Sequence, residues 1–533
     1  MKLTKLWSAL LLAVLLLAAG LSGCAGAPTA APTTGGAATA EPATAAPAAE
    51  PSANAPEPAT ITWVLPCDKQ KNSDAVWALF NTELAKKLPN TTLVIQAVPW
   101  SSYADRIQMI ISAKEDFDIM WVSDWMGDYL TKVNNGAFLP IGDLLEQHAP
   151  NIMKSYPPVA LQAGKGADGK IYGLTSYQQL WRVKGLQIAK PIVDKCGIDM
   201  KKIEATALDK SVSTASLYRD MINPALELIF QNYPDLKMKP CMPYQTYMER
   251  TYEAVLDANY LAVISKADAK GSAKVVNAYK TQDFQDLIAI SRDWFEKGYI
   301  PQDILTVTKE PVAEKGVPSV AFSLENATPD ANAAQSSNLN TYGYEIVQAM
   351  FAMPYNDHAA GSSTMNFVNA NSKNPERVIQ FMDLMNSDAA LYNLLCYGQE
   401  GQDYSIIADA KADQTPIKVN DPSTYGIADW IVGNVLSSIG QSQFAKDTNV
   451  KKWNEQALVS PLAGFRPDVS AIKSEMASTT AVINQYQNSL MYGVDSDYQK
   501  TYETFIQKLD AAGADKVIAE LQKQVEAYEK ANP

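Results

Sequence analysis

An acidic residue and a tryptophan stand side by side directly after a predicted buried strand. The strand covers residues 117–122, an apolar run with β-branched and aromatic side chains, and Ser123, Asp124 and Trp125 follow it. If this strand belongs to an open parallel sheet, its carboxyl end faces the crevice in which such sheets bind ligands. A carboxylate there can accept hydrogen bonds, and an indole ring offers a flat apolar face for stacking. We therefore predict that Asp124 and Trp125 line a ligand-binding site.

The segments before this strand predict the sheet that positions the pair. Residues 61–65 and 93–98 are further apolar strands, and the segments between the strands carry apolar residues at the three-to-four spacing of helices. Strands and helices that alternate in this way are typical of a parallel sheet covered on both faces. Trp63 and Trp100 lie near the ends of these strands, and we place the strand ends at the same crevice edge.

Length and charge limit the class of protein. A chain of 533 residues is too long to fold around one small hydrophobic core, so two domains of ordinary size are expected. The formal net charge is −13, which argues against a nucleic-acid partner.

The amino terminus has the features of an export signal. Lys2 and Lys5 precede an apolar run over residues 10–19, which is too short to span a membrane. Residues 21–24, LSGC, resemble the bacterial lipobox, which predicts a signal peptide over residues 1–23 and an acylated Cys24, with palmitate among its acyl chains. The alternative is an ordinary cleaved signal with a chance cysteine. Residues 24–60, rich in Ala, Pro and Thr, then form a linker that leaves the folded part on the outer face of the membrane.

Cysteines and histidines give no specific site. Four cysteines follow Cys24, and an exported protein can join them in three complete pairings or keep them as free thiols: Cys67, Cys196, Cys241 and Cys396. His148 and His358 are far apart in sequence and lack the ligand spacing of a metal site, so we predict no metal and place both in surface loops.

Residues 164–173, GKGADGKIYG, nearly match a phosphate-binding loop. Ile171 stands where the loop needs Ser or Thr, and no strand precedes the segment. We predict a tight turn at Asp168-Gly169 between two short strands instead. The sequence also contains no Gly-x-Ser-x-Gly and no His-Glu-x-x-His motif.

A series of short motifs carries a family resemblance over about 400 residues. They are DFDI at 116–119, GAFLP at 136–140, DGKIYG at 168–173, NPE at 374–376, YGQEGQDY at 397–404, GF at 464–465 and AAGADKVI at 511–518. With these motifs the exported part resembles the extracellular solute-binding lipoproteins of ABC importers, in the family-1 sugar-binding group whose carboxyl-terminal region is a domain of unknown function. Arg466-Pro467 departs from that pattern, in which an apolar or small residue and no proline is expected.

The resemblance implies an α/β fold with two lobes, each a mostly parallel sheet flanked by helices, a ligand cleft between them and a helical carboxyl-terminal region. On this basis we assign residues 61–174 and 325–387 to lobe 1, and residues 175–324 and 388–533 to lobe 2. It also implies a non-enzymatic monomer without a cofactor, which captures a carbohydrate, here an oligosaccharide, and delivers it to a membrane permease.

Eight residues are candidates for the ligand site. Asp124 and Trp125 come first, Tyr177 and Trp181 follow the predicted passage into lobe 2, and Glu325 and Asn326 mark the predicted return. Trp63 and Trp100 complete the set. For each aromatic side chain the alternative is core packing, and this alternative is strongest for Trp63 and Trp100.

Two other functions fit the same sequence. A surface glycosidase needs a pair of carboxylates, and the 58 acidic residues leave that possibility open. A sensor or a peptide-binding lipoprotein would use the same fold.

Overall fold

The computed structural model describes residues 57–234, 236, 243–256, 260–306, 322–327 and 344–532. For residues 243, 245 and 322–326 only the backbone is described. The predicted signal peptide, Cys24, Cys241 and nearly all of the linker lie outside these residues. Among the described helices, none has the length and apolar character needed to cross a bilayer.

The secondary structure alternates strands and helices in the first third and becomes helical at the end. The strands are, in chain order, β1 (Ala59–Pro66), β2 (Thr91–Val98), β3 (Ile119–Val122), β4 (Gly164–Lys165), β5 (Ile171–Thr175), β6 (Lys184–Ala189), β7 (Tyr252–Ala254), β8 (Ala262–Ser265), β9 (Val276–Asn277), β10 (Phe322–Asn326), β11 (Ile346–Met350), β12 (Tyr355–Asn356), β13 (Met365–Val368), β14 (Tyr404–Ile406), β15 (Ile417–Val419) and β16 (Leu458–Val459). The α-helices are α1 (Ser73–Lys87), α2 (Tyr103–Ala113), α3 (Tyr129–Asn134), α4 (Gly142–His148), α5 (Pro150–Ser155), α6 (Pro158–Gln162), α7 (Lys190–Cys196), α8 (Met200–Leu208), α9 (Thr214–Leu217), α10 (Asn223–Asn232), α11 (Pro243–Met248), α12 (Gln282–Glu296), α13 (Pro375–Ser387), α14 (Ala389–Tyr397), α15 (Gln443–Ala445), α16 (Trp453–Gln456), α17 (Lys473–Met491), α18 (Tyr498–Ala511) and α19 (Ala514–Ala531).

Lobe 1 is built on a sheet with the strand order β2-β1-β3-β13-β5-β4. Strands β1, β2 and β3 run parallel, as their apolar sequences predict, while β13 runs antiparallel to both β3 and β5. All four residues of β3 are buried, because the sheet is covered on both faces. The carboxyl end of β3 therefore delivers Asp124 and Trp125 to the edge of the sheet, as predicted.

Lobe 2 has a second sheet, in which β6 lies between β10 and β11 and runs antiparallel to both. The expectation of a mostly parallel sheet is therefore wrong for this lobe. A further antiparallel sheet joins β7, β8 and β9. The last helices pack into the same lobe, since their apolar stripes supply Leu490, Phe505, Val517 and Val525 to its core.

Two separate hydrophobic cores define the lobes. The lobe 1 core takes its residues from 61–180 and 365–450, and the lobe 2 core from 186–351 and 462–525. The sequence-based boundaries placed residues 388–450 in lobe 2, but Leu391 and Leu395 of α14 and Val435 pack into the lobe 1 core. They also placed residues 325–351 in lobe 1, whereas β10 and β11 pair with β6 of lobe 2. The chain consequently passes between the lobes near residues 181–184, 352–360 and 453–461.

The predicted turn at Asp168-Gly169 is confirmed. Strands β4 and β5 pair in an antiparallel manner around it, and Gly169 has a φ of +78°. Gly164 and Gly173 allow this pairing, because a Cβ atom on Gly164 would lie 2.0 Å from the carbonyl oxygen of Gly173.

The three described cysteines are free thiols. Cys67 and Cys396 are buried, and Cys196 is partly exposed. Burial, with a smaller contribution from Asp68, raises the pKa of the Cys67 thiol to about 12. His358 is also buried, at 4% exposure, so its prediction as a surface loop residue is wrong.

Candidate functional site

A cleft of about 560 Å³ lies between the lobes, beside the first passage of the chain from lobe 1 to lobe 2. Its lining combines the loop after β3, the residues just before β13, the first passage and two residues of lobe 2. The lining residues are Asp124, Trp125, Gln178, Gln179, Leu180, Trp181, Arg182, Lys184, Glu249, Tyr260 and Ser363. The volume falls in the range of about 300–1,000 Å³ that is usual for small-molecule sites.

A tight turn after β3 presents Trp125 to the cleft. Ser123 closes the turn twice, because its amide donates to the Met126 carbonyl at 3.0 Å and its hydroxyl accepts from the Met126 amide at 2.8 Å. The Trp125 side chain is 55% exposed, and its indole N–H donates to the carbonyl of Ser363 at 2.8 Å. An exposed aromatic ring that is held by its polar edge leaves its face available for stacking.

Asp124 lies beside Trp125 but has a different environment. Its carboxylate is 4% exposed, forms an ion pair with Arg182 and accepts a hydrogen bond of 2.8 Å from the Ser362 hydroxyl. The Arg182 Nε atom is also 4.0 Å from a carboxylate oxygen of Asp357. Arg182 belongs to the first passage and Asp357 to the second, so these charges connect the cleft lining to the segments that join the lobes.

Four indole rings form what we call the tryptophan cluster: Trp100, Trp121, Trp125 and Trp430. The ring of Trp100 is nearly parallel to that of Trp125, at 12° and 6.2 Å between centroids, and to that of Trp430, at 29° and 5.5 Å. Trp121 is fully buried and meets the other three edge to face. The cluster belongs to lobe 1, and Trp125 is its member in the cleft lining.

Lobe 2 contributes a polar wall. The Tyr260 hydroxyl donates to a carboxylate oxygen of Glu249 at 2.8 Å, and Lys184 of β6 lines the cleft beside them. The three residues also line a smaller cavity of about 40 Å³, together with Lys266. Burial lowers the pKa of the Lys266 ammonium group, while Glu249 and two further carboxylates oppose this shift.

A buried carboxylate behind this wall joins two of the passages to lobe 2. Glu253 of β7 accepts hydrogen bonds from the Tyr355 hydroxyl at 2.7 Å, the His358 amide at 2.7 Å and the Ser460 hydroxyl at 2.6 Å. The His358 Nδ1 atom lies 3.1 Å from the same carboxylate. Arg466 is also buried and donates to the carbonyl oxygens of His358 and Ala163, which explains why this position holds an arginine.

The structure places some of the eight candidate residues in the cleft and others in the core. Asp124, Trp125 and Trp181 line the cleft, and Trp100 stacks against Trp125. Trp181 is 1% exposed and donates its indole N–H to the Asn449 carbonyl at 2.9 Å, so it mainly supports the first passage.

The other candidates lie elsewhere. Trp63 and Tyr177 are buried in the lobe 1 core, where Trp63 bonds Asn366 and Tyr177 packs against Tyr156. For these two residues core packing prevails. Glu325 and Asn326 are in β10, and their side chains lie outside the described part of the chain.

Sequence reasoning missed several residues of the cleft. Gln178, Gln179 and Arg182 stand next to the predicted Tyr177 and Trp181, so a polar run beside two aromatic residues was an available signal. Glu249 and Tyr260 reach the site through the packing of lobe 2, and no local pattern identifies them. Among the described residues, no group of three or more His, Cys, Asp or Glu side chains is arranged to hold a metal ion.

Two lobes with separate cores, joined by three passages around a polar cleft with an aromatic wall, define a two-lobed ligand-binding protein. Residues 68–391, more than half of the chain, match the family described as bacterial extracellular solute-binding protein. The chain therefore belongs to that family, as its motifs predict. Residues 461–530 match a domain of unknown function (DUF3502), which here comprises the helices α17, α18 and most of α19.

Known relatives extend over nearly the whole chain. A carbohydrate ABC transporter substrate-binding protein of Streptococcus pneumoniae serotype 4 (strain ATCC BAA-334 / TIGR4) is 24% identical over 472 residues, which cover 87% of this chain and 89% of that protein. The crystal structure of the N-glycan transport solute binding protein NgtS from Streptococcus pneumoniae has a TM-score of 0.75 at 22% identity and covers 90% of this chain and 100% of that one. NgtS in complex with Man5GlcNAc has a TM-score of 0.67, with the same identity and coverage. The alginate-binding protein AlgQ2 has a TM-score of 0.56 at 13% identity and covers 88% of this chain and 98% of that one.

Proposed function

We propose that this protein is the receptor of an ABC importer for an oligosaccharide. The observation that carries the proposal is the exposed side chain of Trp125 in the lining of the 560 Å³ cleft, which polar groups of the first passage and of lobe 2 also line. Sugar rings have apolar C–H faces that stack on indole and hydroxyl groups that need hydrogen-bond partners, and this cleft offers both. The names of the relatives, which transport N-glycan or bind alginate, support the same ligand class.

Capture without catalysis is the activity we propose, with a membrane permease as the partner and the monomer as the working form. Thermal-shift screening against a panel of oligosaccharides and peptides tests the ligand class, because a ligand that binds only the folded state raises the melting temperature. The ligand found should be recovered unchanged after prolonged incubation with a stoichiometric amount of protein. A shift with peptides alone would reject the carbohydrate receptor, and cleavage of the sugar would reject the non-enzymatic function.

The acylated Cys24 is proposed to hold the protein at the outer face of the membrane. Cys24→Ala should release the protein into the soluble fraction, because the linker carries no apolar stretch that could replace two acyl chains. Fractionation after a salt wash, with immunoblotting of both fractions, measures this release. Cys196→Ala is a matched control, and a Cys24→Ala variant that still sediments with membranes would refute the lipid anchor.

The two lobes are proposed to close on the ligand. The passages near residues 181–184, 352–360 and 453–461 are short, so a few backbone torsions can absorb a hinge rotation. Small-angle scattering should show a smaller radius of gyration when the oligosaccharide found by screening saturates the protein. A sugar from the same panel that gives no thermal shift is the control, and an unchanged radius at saturation would exclude hinged closure.

A further inference from the structure

The tryptophan cluster extends from the cleft onto the surface of lobe 1. Trp125 lines the cleft, whereas Trp100 and Trp430 lie beside the cleft lining and are partly exposed. The three rings are within 40° of a common orientation, with centroids 5.5–6.5 Å apart. Trp121 supports them from the core with its edge. An aromatic surface therefore continues outward from the ring that we assign to the ligand.

The turn that carries Trp430 is fixed by a buried carboxylate. Asp429 is 8% exposed, and its Oδ2 atom accepts hydrogen bonds from Tyr397 at 2.8 Å, Ser438 at 2.7 Å and Gln441 at 3.0 Å. The carbonyl of Trp430 itself accepts from the Thr364 hydroxyl at 3.1 Å. These bonds fix the backbone of the turn, and the ring of Trp430 packs against Trp100 and Trp121, so binding to this ring orders little that is not already ordered.

The indole N–H groups of Trp100 and Trp430, the two outer rings of the cluster, are also available to a ligand. Neither the Trp100 nor the Trp430 indole N–H has a hydrogen-bond partner among the residues that the structure describes. By contrast, the N–H of Trp121 donates to Thr364 and that of Trp125 to Ser363. Trp100 and Trp430 thus combine a partly exposed aromatic side chain with a hydrogen-bond donor, and a sugar ring can use both.

We propose that Trp100 and Trp430 form a second sugar-binding surface, outside the cleft and continuous with it through Trp125. This inference rests on the proposed function. It specifies the substrate as an oligosaccharide longer than the part enclosed between the lobes, whose outer residues stack on lobe 1. Lobe 1 alone supplies this surface, so the outer residues can bind before the lobes close.

The test compares ligands of different length on matched variants. Man1GlcNAc, Man5GlcNAc and manno-, malto- and cello-oligosaccharides from disaccharide to hexasaccharide are titrated calorimetrically against the parent, Trp430→Ala and Trp430→Phe. The parent should bind the longer members of the recognised series about tenfold more tightly than the disaccharide. Trp430→Ala should lose that gain and keep the affinity for the disaccharide, while Trp430→Phe should retain part of it. Met109→Ala, which removes a 60% exposed side chain from the same lobe, is the control.

The outcomes separate this inference from the proposed function. If no saccharide of any length binds the parent, the oligosaccharide receptor fails and the second surface fails with it. If saccharides bind but the longer ones bind no more tightly than the disaccharide, the second surface alone is overturned. The same conclusion follows if Trp430→Ala still binds the longer saccharides more tightly. Equal losses for short and long ligands in Trp430→Phe, which keeps an aromatic ring, would also overturn it, because they would assign Trp430 a role in shaping the cleft.

Discussion

Replacing Glu253 with alanine should lower the free energy of unfolding by about 3–5 kcal/mol, since the change leaves buried donors without their acceptor. The carboxylate is 3% exposed and accepts from Tyr355, His358 and Ser460. Glu253→Gln should cost less, about 1–2 kcal/mol, because the amide oxygen can still accept from the His358 amide. The hydroxyl groups of Tyr355 and Ser460 can rotate to accept from the new NH₂ group.

Denaturant unfolding of the three proteins, monitored by circular dichroism and tryptophan fluorescence, measures these differences. Glu455→Ala is the matched control, because Glu455 is an exposed acidic residue on the third passage, which also carries the Glu253 partner Ser460. Its effect should stay within about 0.5 kcal/mol. Equal losses for Glu253→Ala and Glu455→Ala would show that the buried carboxylate does not stabilise the passages.

The contribution of Glu253 should also depend on pH. Burial raises the pKa of its carboxyl group, but the bonds from His358, Ser460 and Tyr355 outweigh burial and hold the pKa below the ordinary value of 4.5. A lowered pKa in the folded state means that the stabilisation is complete above pH 4.5 and is lost as the pH falls through the folded value. The difference between the parent and the non-titrating Glu253→Gln should therefore shrink in acid.

The parallel strands β1, β2 and β3 of the first sheet could be predicted because they are local apolar runs between turn signals. Strand β13, which lies between β3 and β5, was not predicted. The sequence also placed Asp124 and Trp125 at a crevice, since the residue after a buried parallel strand has a position that topology determines. The turn at Asp168-Gly169 was equally predictable from local turn chemistry.

The lobe boundaries could not be predicted in the same way. Helix α14 was assigned to the wrong lobe because an apolar stripe shows that a helix is buried but does not show against which core it packs. The chain returns to lobe 2 a second time near residues 453–461, and no composition change marks that passage. The contacts of Trp430 with Trp100 and Trp125 could not be predicted either, because tertiary packing brings together residues that are far apart in the sequence.

The buried position of His358 could not be predicted from the sequence. A lone histidine in a loop is normally exposed, and its partner Glu253 lies 105 residues earlier. The pairing arises because β7 packs against two passages at once, which is a tertiary arrangement. A polar residue of this kind can be recognised as buried only when its hydrogen-bond partners are known from the structure.

Trp125→Ala should weaken the binding of the oligosaccharide found by screening by about ten- to hundredfold, the equivalent of 1–3 kcal/mol for a lost stacking face. The melting temperature without ligand should stay close to that of the parent, because more than half of this side chain is exposed. The sequence assigns both Trp125 and Asp124 to the ligand site. The structure separates the two residues, since the Asp124 carboxylate is 4% exposed and paired with Arg182.

Asp124→Asn should therefore lower both the affinity and the melting temperature, because it removes one charge from a pair that joins lobe 1 to the first passage. Calorimetric titration of both variants, combined with melting curves of the unliganded proteins, distinguishes the two effects. Met109→Ala again controls for the loss of an exposed apolar side chain. If Trp125→Ala melts several degrees lower and keeps its affinity, Trp125 is a packing residue, and the ligand must be bound by Gln178, Gln179 and the polar wall of lobe 2. Retained affinity in Asp124→Asn with a lower melting temperature would restrict Asp124 to holding Arg182 in place.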